Sequence, residues 1–225
     1  MFNVILFGAP GSGKGTQAST LIAKHGLTDI TPGNLLRDCI KDPNHKYYSA
    51  VKTKMDAGQL VDIEIIKLII EDKFEASLAK QDFKGFLFDG FPRSVEQDEF
   101  LLSLLSKHGL KIDMAILLDV KPESLIDRIV NRFTCLDCGE VYNIKTKNVK
   151  QDGICDKCGS SSFSKRSDDN EETIRKRLEV FTNSSLDVIN RYKLSGLLHV
   201  LDAGNSIEQV CNQIQQLIGG IKKVF

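Results

Sequence analysis

The chain contains no tryptophan and only four tyrosines among its 225 residues. Proteins that grip nucleic acid without reading its sequence stack bases on aromatic side chains and attract the backbone with excess positive charge. Excess charge is absent too. Lys+Arg and Asp+Glu both number 30, so the formal net charge is zero. That balance excludes a broad electrostatic partner such as bulk nucleic acid or an anionic membrane surface, and leaves room only for a local basic cleft. No apolar run approaches the roughly 18 residues of a membrane span. The opening residues lack the basic, apolar and small-residue regions of a secretory leader, and the first apolar strand starts at once, with no room for a transit peptide. The expectation is a soluble cytoplasmic protein with no nucleic-acid or membrane partner. A hydrophobic share of 41% is enough for a proper core.

The most informative segment comes first. Asn3-Val-Ile-Leu-Phe7 is an apolar strand running directly into Gly8-Ala-Pro-Gly-Ser-Gly-Lys-Gly-Thr16, and a helical stretch follows. Gly8, Gly11, Gly13 and Gly15 let the backbone curl so that successive N–H groups point inward. The following helix adds the positive end of its dipole. Lys14 places a point charge between two phosphates, and the Thr16 hydroxyl is suited to Mg²⁺. The strict pattern G-x-x-x-x-G-K-[ST] is missed by one residue, because Gly15 precedes Thr16.

Short apolar runs at Val4–Phe7, Thr28–Ile30, Phe86–Phe88, Met114–Asp119 and Leu197–Leu201 read as strands. Helical patterns lie between them, notably Ile63–Leu78 and Glu171–Tyr192, the second with an Asp169…Glu172 capping box. Strand–helix alternation predicts an α/β fold with a parallel sheet, helices on both faces and ligands at the C-terminal strand ends. Two segments interrupt the alternation, Thr31–Gln59 and Phe133–Arg166, and read as excursions from the core.

The second excursion carries Cys135-Leu-Asp-Cys138-Gly139 and Cys155-Asp-Lys-Cys158-Gly159, a C-x2-C-x16-C-x2-C spacing that suits a structural zinc site. Each C-x2-C-G is expected to curl into a knuckle whose glycine frees N–H groups for the sulfurs. Disulfides do not suit a cytoplasmic chain. Iron fits the same four-sulfur geometry, so the site is better defined than the metal. With no ligand position left open, the metal is structural. Cys39 and Cys211 fall within helical patterns and read as ordinary helix residues.

Charged residues gather after strand ends. Asp89 closes the strand Phe86-Leu-Phe, where phosphate enzymes anchor Mg²⁺ directly or through water, and a turn aspartate before Gly90 is the plainer alternative. Arg93 follows Pro92. Arg128 and Arg132 are four apart and read as one face of a short helix. Arg166, Arg175 and Arg177 flank the start of the last long helix but one. Arginine suits bidentate phosphate clamps.

Taken together, Gly8–Thr16, Asp89-Gly-Phe-Pro-Arg93 with Gln97, Asp127-Arg-Ile-Val-Asn-Arg132, and Arg166…Asp168-Asp169…Glu171-Glu172-Thr-Ile-Arg-Lys-Arg177 closely resemble adenylate kinase, and the cysteine insert looks like its long bacterial form. The resemblance spans nearly the whole chain, with four motifs in order. It implies a P-loop-type α/β/α core with a five-stranded parallel sheet, formed by residues 1–30, 60–132 and 167–225. Residues 31–59 would form the AMP-binding domain and 133–166 the zinc lid. The partners implied are ATP, AMP and ADP, with Mg²⁺ carried on ATP, in a monomer. ATP would be held by Gly11, Ser12, Gly13, Lys14, Gly15, Thr16, Arg128, Arg132, Val141, Tyr142 and Asn205. AMP would be held by Pro32, Arg37, Gln59, Leu60, Val61, Gly90, Phe91, Pro92, Arg93, Gln97, Arg166 and Arg177, with Gln97 reading the adenine edge. Catalysis would fall to Lys14, Arg93, Arg128, Arg132, Arg166 and Arg177, and Mg²⁺ to Thr16 and Asp89. Asp168 and Asp169 match the lid hinge acids. One stretch departs: where the family pattern is Ser-Thr-Gly-Asp, this chain has Thr31-Pro32-Gly33-Asn34, losing a hydroxyl, an N–H and a charge. A UMP/CMP kinase of the same fold is the alternative acceptor class. A zinc-ribbon nucleic-acid binder or nucleotide sensor is the alternative outside that class.

Overall fold

The computed structural model describes residues 1–57, 59–165 and 170–222. Gly58, Arg166, Asp168 and Asp169 therefore lie outside the described residues. In chain order the elements are β1 (Val4–Gly8), α1 (Lys14–His25), β2 (Thr28–Ile30), α2 (Pro32–Cys39), α3 (Tyr48–Asp56), α4 (Ile63–Leu78), β3 (Phe86–Asp89), α5 (Val95–Lys107), β4 (Met114–Asp119), α6 (Pro122–Val130), β5 (Arg132–Cys135), β6 (Val141–Asn143), β7 (Phe163–Ser164), α7 (Glu171–Leu194), β8 (Leu198–Asp202) and α8 (Ile207–Lys222).

Five strands form one sheet in the order β2-β3-β1-β4-β8. β1 and β2 each pair in parallel with β3, in a register that sets Leu6 opposite Asp89 and Ile30 opposite Phe88. Every residue of β1 is buried, as is Phe86–Phe88 of β3. Strands covered on both faces need continuous apolar sequence rather than alternation. The parallel register brings the C-terminal ends of β2 and β3 to one sheet edge, where the chain leaves β2 at Thr31 and β3 ends at Asp89.

The chain divides into two compact units. The first comprises Met1–Phe7, Ala18–Ile116 and Asp187–His199, and the second Gly8–Gln17, Leu117–Leu186 and Val200–Phe225. The core of the first is aromatic. Phe74 of α4 stacks on Phe86 at 4.3 Å between ring centroids, and Phe83 tilts against Phe86 at 4.6 Å. Asn3, which stands out in no sequence motif, knits strand ends together: its side chain accepts from Phe86 N at 3.0 Å and donates to Lys111 O at 2.8 Å. In the second unit, buried Leu125 and Ile129 of α6 and Val210, Ile214 and Ile218 of α8 recur at helical spacing.

Within the second unit the cysteine segment has its own sheet, β6-β5-β7, antiparallel throughout. Its small core consists of Cys135, Tyr142 and Cys155, with Phe133, Val149 and Phe163 packed against them.

Helix starts follow local chemistry. Pro32 and Pro122 each occupy the first turn of a helix, where a missing N–H costs nothing. Ser94 caps α5 by accepting from Gln97 N at 3.3 Å. For α7 the capping residue is Asn170, whose side chain accepts from Thr173 N at 3.0 Å, one residue later than the Asp169 box expected from sequence. A second correction concerns Arg132. α6 ends at Val130 with Asn131 as its C-cap, and Arg132 opens β5, so Arg128 and Arg132 do not share a helical face. Asn131 closes the helix by donating its side-chain amide to Asp127 O at 2.8 Å.

Candidate active site

The glycine loop lies in the second unit. Gly11 (φ +83°) and Gly13 (φ +95°) take left-handed conformations that side-chain-bearing residues adopt at a cost. A Cβ at Gly11 would meet Ile129 Cγ1 at 2.7 Å and Leu125 O at 3.0 Å, so the loop rests directly on α6. At Gly13 and Gly15 a Cβ would meet nothing within 4 Å, so the loop is open on that side. Thr16 N and Gln17 N donate to Gly13 O at 3.1 Å, starting α1 directly from the loop. Lys14 Nζ folds back over the loop and donates to Gly8 O at 2.6 Å and Ala9 O at 3.1 Å. Ser12 Oγ is buried with no hydrogen-bond partner among the described residues. An open glycine face, a helix N-terminus, a lysine and a buried hydroxyl form a donor set that matches phosphate oxygens.

Also in this unit are Arg128, Arg132 and Arg177, all half-buried. Asn143 of β6 donates to Arg128 O at 2.8 Å, and Ile144 N donates to Asn131 O at 3.0 Å. The end of α6 is thereby tied to the cysteine segment, a link the sequence did not reveal. Asn205 is exposed in the loop after β8 and donates its amide to Asp202 O at 3.0 Å.

The first unit holds Pro32, Arg37, Gln59, Leu60, Val61, Gly90, Phe91, Pro92, Arg93 and Gln97 of the residues expected around AMP, whereas Arg177 belongs to the second unit and Arg166 lies outside the described residues. Asp89 is the last residue of β3, and the chain then turns through Gly90 (φ +67°) and a cis Phe91–Pro92 bond. A Cβ at Gly90 would press on Arg93 Nη2 at 3.0 Å. Arg93 Nε donates to Gly90 O at 2.7 Å, which folds the guanidinium back along this turn. Gln97 Oε1 accepts from Arg93 N at 2.7 Å. The amide that the resemblance assigns to adenine is therefore also a brace for Arg93, leaving its NH₂ and the second carbonyl lone pair for a base. Phe91 and Pro92 are buried, Val61 is buried, and Gln59 and Leu60 are exposed. Arg37 Nη2 donates to Asn34 Oδ1 at 2.6 Å.

The four sulfurs of Cys135, Cys138, Cys155 and Cys158 all lie within 4.8 Å of one another. Cys135 Sγ is 3.6 Å from Cys158 Sγ, and Cys138 Sγ is 3.6 Å from Cys155 Sγ. A zinc tetrathiolate with Zn–S bonds of about 2.3 Å has tetrahedral edges of about 3.8 Å, so the donor set fits a metal in size and chemistry. The two knuckles are built alike. Gly139 and Gly159 take φ +72° and +75°, and their N–H groups donate to Cys135 O and Cys155 O at 3.0 and 2.9 Å. The glycine N–H thus closes the turn, while other backbone N–H groups reach the sulfurs: those of Cys138 and Asp137 to Cys135, and those of Lys157 and Cys158 to Cys155. Burial opposes ionisation of Cys155. The Tyr142 hydroxyl and these backbone N–H groups outweigh it and draw the thiol down to about 6. Tyr142 is itself pushed up to about 12 by burial and by Cys155. Its hydroxyl lies 3.3 Å from Cys155 Sγ and accepts from Asp156 N at 2.8 Å. The Tyr142 side chain is committed to the cysteines, so any contact of this residue with ATP would fall to its backbone.

A parallel sheet whose first strand opens into a lysine-bearing glycine loop at a helix N-terminus defines a P-loop nucleotide-binding protein. The family model for adenylate kinase matches residues 6–197. The chain is similar to the adenylate kinase of Novosphingobium aromaticivorans, 38% identical over 216 residues that cover 96% of this chain and 98% of that protein. It is similar to that of Thermodesulfovibrio yellowstonii, 39% identical over 211 residues (94% and 96%), and to that of Paracoccus denitrificans, 38% identical over 219 residues (97% and 98%). The chain belongs to the adenylate kinase family. Among the described residues no helix is long and apolar enough to cross a membrane.

Proposed function

We propose that this chain catalyses reversible phosphoryl transfer, Mg·ATP + AMP ⇌ 2 ADP. The observation that carries the reading is the glycine loop, open at Gly13 and Gly15, with Lys14 and the N-terminus of α1 at its rim, in a chain of this family. When ATP binds, Lys14 exchanges the carbonyls of Gly8 and Ala9 for phosphate oxygens, and Ser12 Oγ gains an acceptor. Thr16 and Asp89 would hold Mg²⁺, Asp89 through water, and the ion neutralises phosphate charge when it is present. Arg128, Arg132, Arg166 and Arg177 would bear on the ATP side or the transferring group, with Val141, Tyr142 and Asn205 around the nucleotide. Arg37 and Arg93 would hold the AMP phosphate beside Pro32, Gln59, Leu60 and Val61, and Gln97 would meet the adenine edge.

The nucleophile is an AMP phosphate oxygen, already ionised near neutral pH because its second pKa is about 6. No general base is required. The task is electrostatic, since charge spreads over the phosphoryl oxygens in a loose transition state, and a lysine with several arginines answers it. Excluding water protects the phosphoryl group from hydrolysis. Residues 31–59 and 133–166 are assigned to an acceptor-binding domain and a lid, and the four cysteines to one structural Zn²⁺ that clamps the lid's strands. The resemblance to the family supports a monomer in the cytoplasm, and elemental analysis separates zinc from iron.

A coupled assay with ATP and a panel of nucleoside monophosphates tests the reading. AMP is expected to be preferred over CMP and UMP. Lys14→Ala is expected to lower kcat by orders of magnitude in a protein that still folds. Near-full activity of that variant, or kcat/KM for CMP or UMP equal to that for AMP, would overturn the assignment.

A further inference from the structure

The Thr31-Pro32-Gly33-Asn34 stretch, which departs from the family pattern, contains a chain of hydrogen bonds. Asp29 is the middle residue of β2 and is half-buried. Both of its carboxylate oxygens are engaged. Thr31 Oγ1 donates to Oδ1 at 2.5 Å, and Asn34 Nδ2 donates to Oδ2 at 3.0 Å. Thr31 is the N-cap residue of α2, yet it makes no side-chain cap, because its hydroxyl is turned to Asp29. The second bond fixes the Asn34 amide. With Nδ2 on the carboxylate, Oδ1 faces the other way, and Arg37 Nη2 donates to it at 2.6 Å. The guanidinium also lies over the first turn of α2, its Nη1 3.5 Å from where a Cβ on Gly33 would be.

We propose that Asp29 is a positioning residue for Arg37, acting through the Asn34 amide. The proposal rests on the reading of Arg37 as a ligand of the AMP phosphate. An amide has one donor end and one acceptor end. A neutral acceptor could leave it free to turn over. A carboxylate cannot donate, so it accepts only from the NH₂ end and presents the carbonyl to the arginine. The charge that Asn34 lacks relative to the family pattern is thus present at Asp29, one side chain further from the guanidinium, and beside the positive end of α2. The pair is coupled by sign. An aspartate at position 34 would face Asp29 across the 3.0 Å now bridged by an N–H, and like charges at that distance repel. An amide at position 29 would relieve the repulsion and restore a donor to the chain.

Steady-state kinetics with AMP and ATP varied separately, together with thermal unfolding, test this on Asp29→Ala, Asp29→Asn, Asn34→Asp, the double variant D29N/N34D, and Arg37→Ala. Asp29→Ala is expected to raise KM for AMP about three- to tenfold, the range of one lost hydrogen bond, with kcat and KM for ATP within about twofold of the parent. Asn34→Asp is expected to raise KM for AMP at least as far. The double variant is expected to fall below N34D alone, well short of the product of the two single effects. Multiplying effects in the double variant would overturn the relay, as would an Asp29→Ala protein with unchanged KM for AMP. So would a uniform loss of kcat and both KM values alongside a lower unfolding temperature, since that marks a purely structural role. Arg37→Ala separates the two levels. A raised KM for AMP there with no effect of Asp29→Ala removes only the relay. An unchanged KM in Arg37→Ala removes the reading of Arg37, and the proposal with it.

Discussion

Tyr192→Phe tests a buried polar pair in the first unit. Asp98 of α5 is 1% exposed, and Tyr192 of α7 is 4% exposed. The Tyr192 hydroxyl donates to Asp98 Oδ1 at 2.7 Å, and Arg191 Nη1 lies 3.2 Å from Oδ2. The substitution removes one oxygen and keeps the ring, which packs against Phe7 at 5.6 Å between centroids. The loss is therefore one hydrogen bond to a buried carboxylate, worth about 1.5–3 kcal/mol. In a chain of this length that lowers the unfolding temperature by about 3–12 °C. The pH dependence follows from two shifts. Burial raises the Asp98 pKa, against the opposing pull of Tyr192 and Arg191. A carboxyl whose folded pKa lies above its unfolded value contributes stability that is complete below about pH 4 and is lost as pH rises through the folded value. Removing the Tyr192 hydroxyl raises that folded value further, so the variant's deficit grows between about pH 4 and neutrality. Tyr192 is itself raised, by burial first and then by Asp98. Its stability is complete below about pH 10 and lost above it, a fall the variant lacks at this position. Urea midpoints at about pH 4.5, 7.5 and 10.5, on the flanks of these windows, measure all three. A deficit at neutral pH below about 0.5 kcal/mol, or one equally large in acid, would refute the reasoning.

Three further outcomes are expected. Gly11→Ala combines a left-handed φ with a Cβ 2.7 Å from Ile129, so a cost of about 1–3 kcal/mol in strain and a higher KM for ATP are expected, read by unfolding and kinetics. Cys155→Ser is expected to abolish a stoichiometry of one metal per chain and to increase amide exchange across β5, β6 and β7, while the rest of the protein, with its own core, keeps its protection; unchanged metal content would refute the tetrathiolate assignment. Pro32→Thr is expected to alter KM for AMP modestly and to leave AMP ahead of CMP and UMP in the monophosphate panel, since Pro32 sits at a helix start where its missing N–H is not needed.

Much of the fold was legible because β1, β3 and β4 are short apolar runs bounded by charge or glycine, and burial on both faces requires that pattern. The cysteine repeat was legible because metal-ligand spacing is local. What escaped depends on neighbours distant in sequence or on competition between local options. Arg128 and Arg132 are four apart, but Asn131 ends the helix between them by bonding its own preceding turn. Asn170 and Asp169 are both good caps, and composition does not choose between them. Val141-Tyr142 reads equally well as a nucleotide contact or as a core residue, and only the folded knuckles show the Tyr142 ring turned toward Cys155. Asn34 reads as a lost charge until the strand and helix bring Asp29 to its amide.

The placement of Tyr142 has an optical consequence. With no tryptophan in the chain, no indole emission masks the tyrosines, and there are four of these. Tyr142 is the one whose ring stacks on Phe133 at 5.5 Å and whose hydroxyl meets a cysteine sulfur at 3.3 Å. Native fluorescence thus contains a built-in reporter of the cysteine centre. Stopped-flow emission on adding Zn²⁺ or a chelator, compared with that of a Tyr142→Phe protein, tests metal capture and release at the four cysteines without any attached label.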